Sequence, residues 1–93
     1  GLILVEIAPD RADALLARAR AFGESRLVCN AHWQSDVIAG RTVAAGAVAR
    51  LNSDSTFLAD LAAAREEVRR APPVDQAKCA ADAALVAPIA GAL

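Results

Sequence analysis

An all-α fold is what this sequence predicts, and two observations carry it. Hydrophobic residues make up 56% of the 93 positions while aromatics make up only 3%, so the apolar content is mostly alanine, leucine and valine, which favour closely packed helices over strands. Apolar residues also recur at helical spacing in several segments separated by Pro, Gly, Asn and Asp. One domain fits this length, with a core near the lower limit of what burial sustains.

"LILVEIA" is an apolar run closed by Pro9. Its length alone does not separate a helix from a strand, and the Ala-rich context selects helix. Asp10 is placed to accept from the free amides of a second helix, with Asp13 in its first turn. Ala12, Leu15, Leu16, Ala19 and Phe22 follow at helical spacing, and Gly23 is the expected stop. Residues 24–33 have no clear period and read as a loop. From about Gln34 to Leu51 the helical pattern returns, with Val37, Ala44, Val48 and Leu51 near one stripe. Gly40 and Gly46 weaken that helix by roughly 1 kcal/mol each relative to alanine, which points to close packing against a neighbour. "LNSDST" is a turn in which Asp54 or Ser53 caps the next helix, whose Phe57, Leu58, Leu61, Ala64 and Val68 form an apolar face. Pro72 and Pro73 end it. A last Ala-rich helix is expected from near Asp75 to about Ala87, before Pro88.

Ten Lys plus Arg against eleven Asp plus Glu leave a formal charge of -1, with no basic excess for a nucleic-acid backbone. Nucleic acid is therefore not an expected partner. The longest uncharged apolar stretches, Ala83 to Leu93 and Thr42 to Ala49, are well short of the ~20 residues that cross a bilayer, so no membrane span is expected. "GLILVEI" has neither an initiating methionine nor a secretion signal's basic start, and the sequence reads as part of something longer.

The only histidine and the only tryptophan fall in "SRLVCNAHWQSD", residues 25–36. If a helix starts near His32 or just beyond it, His32 and Asp36 share a face and the carboxylate reaches one imidazole nitrogen. That contact fixes the tautomer and leaves the other nitrogen free to act. Arg26 offers a planar fork for two phosphate oxygens, and helix N-terminal amides nearby also favour anions. The plainer readings are a capping or packing histidine in a polar loop, or a metal pair, for which the chain has no second histidine or clear third ligand. Trp33 reads as a packing residue or pocket wall. The "REEVRR" charges read as a solvated helix face.

Ser25, Arg26, His32 and Asp36 reproduce S-R-x5-H-x3-D and thereby resemble the third signature block of the phosphatidic acid phosphatase type 2 superfamily, which includes vanadium haloperoxidases. Four residue types at set spacing match by chance in on the order of one in several thousand chains this long. The wider wording "SRLVCNAHWQSDV", followed by "AGR", is most similar to the bacterial class A non-specific acid phosphatases. The resemblance covers residues 1 to about 71 well and 72–93 weakly. It departs at Ile38, where the resemblance implies an acidic residue, and what it implies about substrate preference is open at that point.

The resemblance implies that residues 1–93 are the C-terminal part of a single helical-bundle domain, and that the enzyme is periplasmic or secreted. It makes His32 the nucleophile that is phosphorylated and Asp36 the group that holds the developing imidazolium. Arg26, with Ser25, would bind the phosphate oxygens without any metal or cofactor, phosphate or vanadate fitting the same site. The first two blocks, a Lys with an Arg-Pro and a Pro-Ser-Gly-His, are absent here. The proton donor and the rest of the phosphate cradle would therefore come from the remaining N-terminal part of the domain. The expected substrates are small phosphate monoesters, and homo-oligomerisation is left open. A haloperoxidase on the same scaffold and an inactive helical fragment or interaction module are the alternatives. In an oxidising periplasm Cys29 and Cys79 either join, closing a loop of about fifty residues worth roughly 4 kcal/mol in the chain-entropy model, or stay as buried free thiols.

Overall fold

The computed structural model describes residues 1–90. Its elements are α1 (Leu2–Ile7), a 3-10 turn (Pro9–Arg11), α2 (Ala12–Val28), α3 (Gln34–Leu51), α4 (Ser55–Arg70) and α5 (Gln76–Ala90). They take up 83% of the described residues, and no strand occurs among them. The fold is all-α. No helix among the described residues is long and apolar enough to cross a membrane.

Short α1 is the hub, packing against α2, α3 and α4, while α5 lies along α2. Glu6 makes the hub polar at its end. Its carboxylate accepts from Asn52 at 2.9 Å, and its carbonyl accepts from Arg65 Nε at 2.7 Å, satisfying one of the carbonyls a helix end leaves open. Asp54 caps α4, its carboxylate accepting from the Phe57 amide at 2.9 Å, as the sequence predicts. Helix α4 ends at Arg70 with Ala71 as its C-cap, and the two prolines follow.

Several expectations are corrected. Asp10 does not cap α2: the helix starts behind a 3-10 turn with Arg11 at its N-cap and no side-chain cap. Gly23 does not stop α2, which runs on to Val28. A Cβ at Gly23 would stand 3.2 Å from the Arg41 guanidinium and 3.3 Å from a Val37 methyl, so glycine is used there for close approach of α3. Gly40 and Gly46 have nothing within 4 Å of where a Cβ would stand, and α3 is not crowded. Instead of ending before Pro88, α5 extends to Ala90, its Ala-rich flanks keeping a high helix propensity around the proline.

Only Ala21 and Leu61 are buried hydrophobics among the described residues. The radius of gyration is 15.1 Å, against about 12 Å for a compact domain of this length. Accessible surface is 6986 Å², roughly a third more than the ~5,100 Å² expected at this mass. Part of the exposed apolar surface lies together. An open trough of about 740 Å³ between α1, α2 and α3 is lined by Leu2, Leu4, Leu16, Arg20, Arg41 and Val48, among others. Phe22, expected on the apolar face of α2, is also exposed.

Candidate functional site

His32, Trp33 and Asp36 stand at the corner between α2 and α3, with Ser25 and Arg26 on the last turn of α2 before it, and the only side-chain approach among these five within the described residues is that of His32 and Asp36. Local chemistry builds that corner. Asn30 is left-handed, with φ of 52°. The Ala31 amide donates to the Arg26 carbonyl at 2.9 Å, and the Asn30 amide to the Leu27 carbonyl at 3.0 Å. These two bonds are the signature of a Schellman stop, with Asn30 in the position glycine or asparagine fills. The His32 amide also donates to the Arg26 carbonyl, at 3.2 Å. Backbone bonds thus tie the arginine directly to the histidine.

Trp33 is the N-cap of α3, so His32 lies just outside the helix. Asp36, in the first turn, accepts from the Trp33 amide through Oδ2 at 3.1 Å. The same oxygen stands 3.7 Å from His32 Nδ1. That is an electrostatic approach rather than a hydrogen bond, and it falls on one ring nitrogen only. His32 and Asp36 are both about half exposed, and the ring faces the carboxylate rather than hydrocarbon.

Arg26 and Ser25 are placed differently. The Arg26 guanidinium lies over the Phe22 ring, 5.9 Å from its centroid, a cation–π arrangement, and makes no ion pair among the described residues. Its five donors are therefore not committed to a carboxylate. The Ser25 hydroxyl donates to the Phe22 carbonyl at 2.7 Å and has to rotate before it can donate to a ligand. Trp33 is 80% exposed, so it packs on nothing here. No three His, Cys, Asp or Glu residues cluster as a metal site among the described residues. Cys29 and Cys79 are exposed free thiols rather than buried ones, with no bond between them. The tie between their helices, Arg18 to Asp82 at 3.5 Å, sits about three turns back from Cys29.

Sequence reasoning passed over a further contact. Arg41 Nη2 donates to Glu24 Oε1, joining α2 to α3 beside the corner. The contact spans seventeen residues, and no local pattern announces a pair that far apart.

The geometry can now be set beside known proteins. Over 70 residues, 75% of this chain, it is 49% identical to the acid phosphatase of Zymomonas mobilis. The chain is similar to acid phosphatases. The non-specific acid phosphatase of Salmonella typhimurium is 51% identical over 67 residues, or 72% of this chain, and that of Providencia stuartii 48% over 66 residues, or 71%. The matched stretches are 26% of the Zymomonas protein and 27% of each of the other two, so the chain spans about a quarter of the length of these curated relatives. No family model and no solved structure matches it.

Proposed function

We propose that this chain is the nucleophile-bearing part of a phosphatase of the class A, phosphatidic acid phosphatase type 2 kind, hydrolysing phosphate monoesters in the periplasm or outside the cell. The observation that carries the reading is the direction of the Asp36 approach. The carboxylate engages Nδ1 of the chain's sole histidine, which favours a proton on that nitrogen and leaves the Nε2 lone pair open to attack. Relatives named acid phosphatases support the choice of chemistry.

In the proposed reaction, His32 Nε2 forms a bond to phosphorus as the bond from phosphorus to the ester oxygen breaks, and the leaving oxygen takes a proton from a donor outside this chain. Asp36 balances the charge that appears on the ring. Water then attacks phosphorus and gives a proton back to that outside donor, the N–P bond breaks, and phosphate leaves with neutral imidazole restored. Arg26, swung from Phe22 toward the phosphoryl oxygens, stabilises the charge spread over them and takes the part a metal plays elsewhere. The remainder of such a domain would supply the proton donor and further cations, and would cover the trough between α1, α2 and α3.

Replacing His32 with Ala in the intact protein tests the reading. Turnover of an aryl phosphate is expected to fall at least ~1,000-fold, the scale seen on removing a nucleophile, with folding retained because the side chain is half exposed. Activity within a fewfold of the parent would refute it.

A further inference from the structure

We propose that Glu24 and Arg41 are positioning residues, an ion-paired clasp that fixes the angle between the end of α2 and the start of α3 and so sets where Asp36, on α3, stands relative to Arg26, on α2. The inference rests on the reading of His32 as phosphoryl acceptor. The Schellman stop joins the two helices by backbone, but a turn of this kind is also a pivot. Two independent features oppose rotation about it. One is the Glu24–Arg41 hydrogen bond, which among the described residues is the side-chain bond between these two helices. The other is Gly23, whose missing Cβ admits Val37 and Arg41 against the backbone of α2.

The pair is 43% exposed on the arginine side and 32% on the glutamate side, and pairs so exposed add little to stability. Its value lies in direction, because a misplacement of about 1 Å in a catalytic array can cost 100-fold in rate. Charge adds an asymmetry. Without Arg41, Glu24 becomes an unpaired negative charge two residues from Arg26, whose field opposes the approach of phosphate to this end of α2. Without Glu24, only the tether is lost. Removing either partner breaks the same bond, so a purely structural pair would respond equally to both.

The test uses the intact protein with Glu24→Gln, Arg41→Gln, both together, and His32→Ala. It reads kcat and KM for an aryl phosphate, the inhibition constant for inorganic phosphate, and the melting temperature. Arg41→Gln is expected to lower kcat/KM about tenfold and to weaken phosphate inhibition, Glu24→Gln to lower it about threefold, and the double variant to fall between. Melting should move by no more than about 3 °C. Equal losses in the two single variants, losses that track melting temperature, or changes under twofold would each overturn the clasp. Should Arg41→Gln fail to fold, Gly23→Ala decides, since the added methyl must push Val37 and Arg41 outward. A drop of about threefold or more supports the proposal and an unchanged kcat/KM defeats it. If His32→Ala stays active, the underlying reading falls. If it is dead while the clasp variants match the parent, only the clasp falls.

Discussion

The corner between α2 and α3 and the C-terminal half of α4 both gather arginines and carboxylates, and they end in opposite states. On α4 the Glu66 carboxylate accepts from Arg69 at 2.9 and 2.7 Å and also pairs with Arg70. Arg69 holds the Glu66 carboxyl below its ordinary value, with Arg70 adding to the effect, and Glu66 in turn raises Arg69. Those charges satisfy one another. At the corner, backbone bonds fix the residues while their polar atoms stay uncommitted: among the described residues Arg26 has no carboxylate partner, and Asp36 takes up only one side of His32. On the proposed reading, the site lies where groups are held but unpartnered rather than where charges pair most strongly.

The contrast is open to attack at several points. Arg26→Lys keeps the charge but loses the planar fork, and kcat/KM in the intact protein is expected to fall about 100-fold. A fall under threefold would place the corner in the same class as the α4 face. Asn30→Ala puts a Cβ-bearing residue without a local polar side chain at φ of 52°, and should cost about 1 kcal/mol in a denaturant melt of the chain, with Asn30→Gly tolerated. Gly46→Ala should stabilise the 93-residue chain by slightly under ~1 kcal/mol, because nothing lies within 4 Å of the new methyl. In the intact protein the same change should lose that gain if the rest of the domain covers α3. Smallest of all, Glu66→Gln should leave melting at neutral pH unchanged within error, since its partners Arg69 and Arg70 are both largely exposed and such surface pairs add little. The sign is that of a lowered carboxyl. Any contribution is present above the ordinary value of 4.5 and disappears as pH falls through the lowered folded value.

Legibility in the sequence followed the range of the physics. The extent of helix α3 was readable, because period and turn chemistry are local, and the cap of α4 was narrowed to Asp54 or Ser53, of which Asp54 serves. The stop of α2 was misplaced for an instructive reason: Gly23 and Asn30 are both residues that end helices, and only tertiary contact shows that Gly23 makes room for α3 while Asn30 makes the turn. Gly40 and Gly46 carry the same ambiguity in reverse. At the site, the His32–Asp36 approach was readable from spacing, although His32 stands before the helix rather than within it. The resting places of Arg26 over Phe22 and of the Ser25 hydroxyl on a carbonyl were not readable, because they depend on rotamers. Nor was the Glu24–Arg41 pair, whose partners meet only once two helices have packed.

The most direct trial is to find where a phosphoryl group rests during turnover. Rapid quenching of the intact protein with a phosphorus-labelled aryl phosphate, followed by peptide mapping under alkaline conditions, should recover an acid-labile label on the peptide carrying His32. Label on a different residue, or full turnover with no protein-bound phosphorus at any quench time, would contradict the account.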